Sequence, residues 1–358
     1  MAITRRGFLW LPSALAAQQS AAVPDVVRYP DPATEFEVLR FTNPAYSSYL
    51  PRPYARIFDR RSRNMLYACD RGGSLQAYLF DLKSRHSRQV SEAATLDPAS
   101  LSLSPNDRGA CFIDGSDVVL TNTSSSARGR TLYTLKEVSP GRGLNVTPDG
   151  PSVIAVEAAT RLLKIPMVRG GPSAIADNPA GVRDPMPRPR RAAVAYRDDS
   201  GGLWLAHLDG SRNTQIEIEP GNIGPAIWSP DGKTILYLHI APRANTIREV
   251  DPDTGEDKAI AGTSAYVAFA PNRDASVFVG ASGSKAAPYV LVMVRLVKRE
   301  LALCEHKAGE PATVNPVFTP DSQRICFQSD RHGKPAIYSM AVERLIEKTE
   351  SGESDTNG

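Results

Sequence analysis

The stretch Trp228-Ser229-Pro230-Asp231-Gly232, followed by the apolar run Thr234-Ile235-Leu236-Tyr237-Leu238, decides the fold. Proline presets φ at the first turn position, aspartate hydrogen-bonds its own backbone and glycine accepts a positive φ. These residues therefore predict a tight hairpin between two strands. The same pattern recurs at Leu103-Ser104-Pro105-Asn106-Asp107, Val146-Thr147-Pro148-Asp149-Gly150, Phe318-Thr319-Pro320-Asp321-Ser322 and, with small changes, Phe269-Ala270-Pro271-Asn272-Arg273.

The spacing of these turns predicts a repeated module. The five prolines are separated by 43, 82, 41 and 49 residues. The gap of 82 holds two units, and the strand-like runs at 192–196 and 203–208 mark the unit that lacks the motif. One more unit, at 58–73, aligns with 318–333 without a gap. Seven units of this length are typical of four-stranded propeller blades.

We therefore predict an all-β fold, a seven-bladed β-propeller over residues 28–341. The strand-like stretch Phe36–Phe41 should complete the seventh blade as its outer strand, because the chain after Met340 becomes polar. Two β-sandwich domains are the alternative, but sandwiches do not explain one turn motif at one spacing. The proline-rich basic segment 178–191 is interpreted as a solvated loop between blades rather than a site for an acidic polymer.

Composition and the chain ends limit the function classes. The 358 residues are 41 % hydrophobic with a net charge of +3, which excludes global disorder and an extended nucleic-acid footprint. Arg5-Arg6 before a weakly apolar run predicts a twin-arginine export signal over residues 1–22; an ordinary secretory signal is the alternative. The protein is then exported, periplasmic or extracellular, without a stable membrane anchor. Residues 342–358 read as a polar tail, in which 342–348 is compatible with one short helix.

The cysteines and the absent motifs exclude several site types. All four cysteines lie in apolar strand-like runs and are predicted to be buried small hydrophobes; the sequence leaves their disulfide pairing open. No C-x-x-C spacing supports a thiolate zinc site. No G-x-S-x-G, H-E-x-x-H, phosphate-loop or dinucleotide motif is present, so hydrolase, metalloprotease and nucleotide-binding functions lose support.

Propeller topology sorts the remaining polar residues by face. The proline turns lie on one face, so the end of each second strand and the start of each first strand share the opposite face. The candidates on that face are basic or amide side chains, namely Arg71, His239, Arg243, Asn315, Arg331 and His332. Such a ring suits an anionic ligand, especially a carboxylate held by arginine. Alternatively, the two Asp-Arg-x-Gly stretches are tight turns with an exposed arginine, and His239 is a packed strand end.

The motifs also carry a resemblance to known proteins. The motifs occur in the order Ser-Pro-Asp-Gly, an apolar strand, and Ser-Asp-Arg-x-Gly. This order is similar to that of TolB-type propeller repeats. More narrowly, the chain resembles the oligogalacturonate lyase family, seven-bladed propellers that split pectin fragments. The stretches that carry this resemblance are Asp31–Thr34 leading into Val38–Thr42, Asp70–Gly73 with Tyr78–Leu82, and Asn315–Asp321.

The resemblance implies a site for β-elimination with a divalent metal ion, manganese or calcium. Its metal-ligand positions map to His239, Glu310 and Asn315, where Thr313 and Asn315 stand in place of two family histidines. Arg248 lies near a family arginine and is the candidate catalytic residue; no residue matches the base. Arg71, Arg243, Arg331 and His332 are the substrate-binding candidates.

Two functions remain from the sequence. The first is an exported oligogalacturonate lyase-like propeller that binds acidic oligosaccharides and cleaves them by β-elimination, a carbon–oxygen lyase reaction. The alternative is a non-catalytic TolB-like propeller that binds a protein or cell-envelope partner.

Overall fold

Each recurring turn joins the first and second strands of an antiparallel sheet in the computed structural model, which describes residues 25–125 and 129–343. The predicted export signal, most of the predicted helix 342–348 and the rest of the polar tail lie outside the described residues. Seven sheets are formed, numbered here as blades 1 to 7 in chain order. The predicted seven-bladed, all-β fold is confirmed.

The strands of blades 1 to 4 follow one another along the chain. They are β3 (Ser48–Tyr49), β4 (Asn64–Cys69), β5 (Gln76–Asp81) and β6 (Ser87–Gln89); β7 (Ser102–Leu103), β8 (Gly109–Asp114), β9 (Asp117–Asn122) and β10 (Arg130–Thr134); β11 (Leu144–Val146), β12 (Ser152–Glu157), β13 (Arg161–Pro166) and β14 (Ser173–Asp177); and β15 (Arg183–Pro187), β16 (Ala193–Arg197), β17 (Leu203–His207) and β18 (Asn213–Gln215). The first strand of each blade is the innermost.

The remaining blades use the rest of the chain and its described beginning. They contain β19 (Asn222–Trp228), β20 (Ile235–Ile240), β21 (Thr246–Val250) and β22 (Asp257–Gly262); β23 (Tyr266–Pro271), β24 (Val277–Ser282), β25 (Tyr289–Val294) and β26 (Arg299–Glu305); and β27 (Val317–Phe318), β28 (Arg324–Ser329) and β29 (Ala336–Ala341) with β2 (Glu37–Arg40) and β1 (Val27–Pro30). Two short 3₁₀ helices, η1 (Pro98–Ser100) and η2 (Pro311–Thr313), lie between blades.

The ring closes as predicted, through an N-terminal strand in the last blade. Leu39 of β2 lies opposite Ser339 of β29, and Arg40 lies opposite Tyr338. β1 then pairs with the outer side of β2, so blade 7 has five strands and residues 36–41 are not its outermost piece. Closure of this kind removes exposed sheet edges at the join.

Seven apolar clusters among the described residues hold the ring together, one between each pair of neighbouring blades. In one of them Ile154 and Val156 of blade 3 meet Val194 and Tyr196 of blade 4. The cluster between blades 7 and 1 contains Phe41 and therefore depends on the N-terminal strand. Burial of such side chains contributes about 1.5–3 kcal/mol each.

The proline turn satisfies its own polar groups. In blade 5 the Ser229 hydroxyl accepts from the Thr234 amide at 3.0 Å, and Asp231 accepts from the Lys233 amide at 3.1 Å. Gly232 has φ +70°, which a glycine adopts without penalty. All of these bonds are local, which is why the motif alone predicts the hairpin.

The placement of two predicted pieces was wrong. In blade 6 the turn begins at Asn272, whose amide donates to Val277 at 2.8 Å, so Pro271 ends β23 and is not the turn proline. In blade 4 the segment 178–191, predicted to be a solvated loop, contains the innermost strand β15, whose last four residues are buried. Its turn uses Arg188 where four other blades have serine or threonine; Arg188 is buried and pairs with Asp253.

All four cysteines are buried and unpaired, which agrees with their predicted role as small core side chains. Burial raises the pKa of Cys111 and of Cys326 to about 12 in each case. Within residues 25–125 and 129–343, no helix has the length and apolar character needed to cross a bilayer.

Candidate functional site

A segment of blade 1 enters the centre of the ring. After the two-residue strand β3, residues 50–57, here called the channel segment, contact four other blades. The Arg56 carbonyl accepts from the Leu103 amide of blade 2 at 2.7 Å. The Leu50 amide donates to Gln328 of blade 7 at 2.9 Å, and the Tyr54 carbonyl accepts from Asn145 of blade 3 at 2.9 Å. The Tyr54 hydroxyl donates to Asp184 of blade 4 at 2.8 Å. The channel segment therefore narrows the central channel and brings its own side chains to the inner strands.

The two ends of the channel differ in the size of the cavity found there. At the turn end a cleft of about 580 Å³ is lined by the turn prolines, among them Pro105, Pro148 and Pro230. At the opposite face, where the inner strands begin, a cavity of only about 50 Å³ is bordered by Arg52, Tyr54, Asp184, Arg197 and Asn315. A space of this size takes a small polar group rather than a sugar ring.

Asp184 is the centre of this second end, here called the closed mouth. Its Oδ1 accepts from Tyr54, and its Oδ2 accepts from Nε and Nη2 of Arg197 at 3.0 and 2.7 Å. Arg197 also donates to the carbonyl of Gly224 in blade 5. Burial works to raise the pKa of Asp184, but Arg197, Arg52 and the hydrogen bonds outweigh it and hold the pKa below its usual value. Asp184 is therefore a carboxylate under ordinary conditions.

Arginines outnumber carboxylates at the closed mouth. Asp184 and Asp199 are accompanied by four arginines, Arg52, Arg142, Arg183 and Arg197. Arg142 pairs with Asp199 and Arg197 with Asp184, which leaves Arg52 and Arg183 without an ion pair in the described chain. The site thus carries a local excess of two positive charges, which favours an anionic ligand.

The backbone at this end is strained at two channel-lining residues. Asp184 has φ +54° and Asn315 has φ +45°, although neither is a glycine. Twelve other described non-glycine residues also have a positive φ, and aspartate and asparagine adopt this conformation more readily than most residues. Asp184 is the second residue of β15 and Asn315 lies two residues before β27, and each precedes a proline.

Three of the predicted substrate-binding residues lie at the outer rim. Arg331 is buried and donates to the Glu305 carbonyl at 2.6 Å and to Asp31 at 3.4 Å; both partners follow or end outermost strands. Arg71 pairs with Asp25 at 2.7 Å, just before the outermost strand β1. The His332 ring accepts from or donates to the Tyr338 hydroxyl at 2.8 Å and packs beside the ring of Tyr29. Arg331 and His332 are brought together, but away from the channel.

Arg243 and Arg248 also stand outside the closed mouth. Arg243 is exposed in the loop between β20 and β21. Arg248 pairs with Glu219 and Asp257 at 3.0 and 3.2 Å, and its Nε donates to the Tyr237 hydroxyl at 3.0 Å. Arg248 thus joins the strands of blade 5, and its guanidinium is already paired.

Each of the three metal-ligand positions contacts the backbone. Glu310 caps η2 by accepting from the Ala312 amide at 3.4 Å, and Asn315 donates to the Leu50 carbonyl at 3.4 Å. No group of three histidine, cysteine, aspartate or glutamate side chains suited to a metal occurs in the part of the chain that the structure describes. One imidazole, one carboxylate and one amide offer fewer nitrogen donors than the histidine cluster that the family resemblance implies.

His239 has one nitrogen available for chemistry. Its Nε2 lies 3.0 Å from the Pro220 carbonyl, and a carbonyl only accepts, so Nε2 carries the proton in the neutral ring. Nδ1 then keeps its lone pair. His239 lies opposite Ile223, the neighbour of the Gly224 that Arg197 contacts. The imidazole is therefore on the same face of the ring as the closed mouth.

Sequence reasoning missed Arg52, Arg183, Asp184 and Arg197, although one signal was present. Residues 184–189 align with 315–320 without a gap. Each stretch begins with an acidic or amide residue that a proline follows directly, and a second proline lies five residues after the first position of the stretch. This alignment would have located the missing repeat and put Asp184 at the position of Asn315.

Comparison with known proteins agrees with the resemblance seen in the motifs. No model of a known protein family matches the chain. The oligogalacturonide lyase of Pectobacterium atrosepticum is 23 % identical over 370 residues, which cover 88 % of this chain and 95 % of that protein. The oligogalacturonate lyase of Dickeya dadantii is 22 % identical with the same coverage. The sequence resemblance to oligogalacturonate lyases is confirmed over most of the chain.

Solved structures show the same fold. An oligogalacturonate lyase in complex with manganese has a TM-score of 0.81 at 20 % identity, covering 90 % of this chain and 97 % of its own. The oligogalacturonate lyase of Vibrio parahaemolyticus has a TM-score of 0.80 at 21 % identity, covering 89 % and 97 %. At such identities the structures establish the shared fold only.

Proposed function

We propose that the protein binds acidic, pectin-derived oligosaccharides at the closed mouth and cleaves them by β-elimination. The observation that carries the proposal is the excess of two positive charges around the channel-lining Asp184, in a chain similar over 88 % of its length to two oligogalacturonate lyases. Each uronate unit carries one carboxylate, and guanidinium groups bind carboxylates well. Export through residues 1–22 belongs to the proposal and is tested by cell fractionation.

The chemistry requires a proton acceptor and a partner for developing negative charge. The C5–H bond, α to the carboxylate, breaks; the proton moves to the base, the electron pair forms the C4=C5 double bond, and the C4–O bond breaks. The leaving oxygen takes a proton from water. Arginines at the carboxylate stabilise the enolate-like charge, and the lone pair of Nδ1 on His239 accepts the proton.

An assay for the unsaturated product tests the proposal directly. Purified protein is incubated with oligogalacturonates, with added Mn²⁺ or with excess EDTA, and the ultraviolet absorbance of the 4,5-unsaturated sugar is followed. A general base contributes about 10²–10⁴-fold, so His239→Ala should lower the rate by at least about 100-fold. His86→Ala is the matched control, since His86 is exposed at the proline-turn end. No product in either buffer and no thermal shift by the sugar would reject the proposal.

A non-catalytic binding propeller is the second candidate. The substituted ligand positions at Thr313 and Asn315 favour it, because neither residue is a strong ligand for a transition metal. Saturable binding of the oligosaccharide without product would support this candidate within the same ligand class. If the oligosaccharide neither binds nor yields product, a protein or cell-envelope partner is the remaining alternative.

A further inference from the structure

The turn of blade 4 differs in charge from the turns that carry the proline motif. Residues 188–191 read Arg-Pro-Arg-Arg, and Arg190 aligns with the turn aspartate of blade 7, Asp321. That aspartate accepts from the Gln323 amide at 3.1 Å, so the turn of blade 7 satisfies its own backbone. The Arg190 side chain offers no acceptor, and its backbone amide instead donates to Asp149 of blade 3 at 2.5 Å. The turn of blade 4 is therefore tied to the neighbouring blade.

Arg188 ties the same turn to blade 5 on the other side. Its guanidinium donates twice to Asp253, at 2.9 and 2.6 Å, and once to the Gly232 carbonyl at 2.8 Å. Its Cζ also lies 4.8 Å from the centre of the Trp228 ring. Bidentate pairs of this kind fix the orientation of the arginine. The backbone that carries Arg190 and Arg191 is therefore held from both sides.

Arg190 and Arg191 line a cavity of about 470 Å³ between blades 3 and 4 on the proline-turn face. A third cation, Lys164 of β13, lines the same cavity, and its Nζ donates to the Leu208 carbonyl at 3.0 Å. None of these three cations forms an ion pair within residues 25–125 and 129–343. Asp149 is the one carboxylate among the lining residues. The cavity thus has an excess of two positive charges, which favours an anionic ligand.

The walls of this cavity combine charge with apolar surface. Pro148, Pro187 and Leu208 line it together with the three cations. Its volume lies within the range of about 300–1,000 Å³ that is usual for small-molecule sites. An oligouronate carries carboxylates at regular intervals between the C–H faces of its sugar rings, so it matches both the cations and the apolar walls. An inorganic polyanion matches the cations alone.

We propose that the cavity between blades 3 and 4 is a second, non-catalytic binding site for an acidic oligosaccharide, whose carboxylates bind Arg190, Arg191 and Lys164. The ligand class rests on the proposed function, but the site lies on the opposite face and shares no residue with the closed mouth. Pro148 and Pro187 also line the cleft at the proline-turn end of the channel. A longer oligomer therefore has room to continue along this face.

Calorimetric titration of the full protein with trigalacturonate tests this site. We expect the parent to bind two molecules per chain, one at each face. Arg190→Gln/Arg191→Gln and, separately, Lys164→Gln should weaken one of the two binding steps about 10- to 100-fold, because charge-assisted hydrogen bonds are lost. Arg61→Gln/Arg63→Gln is the matched control. Both of its arginines are exposed at the turn of blade 1 on the same face and do not line the cavity, so this variant should bind within about 2-fold of the parent.

The number of binding steps, the product assay and a titration with tripolyphosphate separate failure of this site from failure of the proposed function. A single binding step that the Arg190→Gln/Arg191→Gln variant weakens, without formation of unsaturated product, supports the cavity and contradicts cleavage at the closed mouth. Product formation with a single step that this variant leaves unchanged rejects the cavity and supports the proposed function. Binding of tripolyphosphate without binding of trigalacturonate overturns the proposal, since the apolar walls then contribute nothing to recognition. If neither ligand binds the parent, the site is rejected.

Discussion

Replacing the buried carboxylate of Asp184 should destabilise the protein more than replacing any exposed acid. Asp184 accepts three hydrogen bonds, one from Tyr54 and two from Arg197, and its side chain is 10 % exposed. In Asp184→Asn the amide keeps the shape of the carboxylate, but its NH₂ group faces the N–H and O–H donors of Arg197 and Tyr54. The charge of Arg197 is then left uncompensated. Breaking a buried pair in this way costs about 3–5 kcal/mol. We expect a loss of unfolding free energy of that size.

Asp199→Asn is the matched control. Asp199 also pairs with an arginine, Arg142, but its side chain is 48 % exposed. Exposed pairs contribute about 0–1 kcal/mol, so this variant should lose little. Urea unfolding followed by tryptophan fluorescence measures both variants. A loss below about 1 kcal/mol for Asp184→Asn, or equal losses for the two, would refute the account of Asp184 and Arg197 as a buried ion pair on which the closed mouth depends.

The pH dependence provides an independent check. The folded-state pKa of Asp184 is lowered, because its partners outweigh the effect of burial. The unfolded chain then binds this proton more readily, so the stabilisation is present above an unfolded pKa of about 3.9 and is lost as pH falls through the folded value. The difference in stability between the parent and Asp184→Asn should therefore shrink below about pH 4. A difference that stays constant down to the acid transition would contradict this assignment.

Three further outcomes follow. Burial lowers the pKa of His306, whose ring donates to the Ser282 carbonyl, so the free energy of unfolding should fall as pH drops below about 6.5. Urea midpoints measured against pH should lose this dependence in His306→Gln. An unchanged dependence on pH would contradict the prediction. A thiol reagent should label none of the four buried cysteines in the native protein and all four in urea; rapid native labelling contradicts their burial. Gly232→Ala should lower the free energy of unfolding by about 2–3 kcal/mol and Gly255→Ala by about 1 kcal/mol. Both glycines have a positive φ, but only at Gly232 would the new Cβ lie 2.5 Å from the Pro189 carbonyl oxygen. Equal falls in the melting temperature of the two variants would contradict the prediction.

The blade repeat could be predicted from the sequence because its signal is local. The turn from Ser229 to Thr234 satisfies its hydrogen bonds within six consecutive residues, so the residue types themselves specify the hairpin. The period then specifies the number of blades, and antiparallel pairing specifies which loops share a face. The role of Phe36–Phe41 followed from the same count, since one blade lacked a strand.

The closed mouth could not be predicted in this way because it depends on contacts between distant parts of the chain. Tyr54 and Asp184 are 130 residues apart and meet only because the channel segment enters the ring. Arg331 stood on the right face, but its side chain turns outward to Asp31, and chain order does not state that direction. Local backbone chemistry therefore determined the blades and their faces from sequence alone, whereas the closed ring decided which charged side chains share the channel.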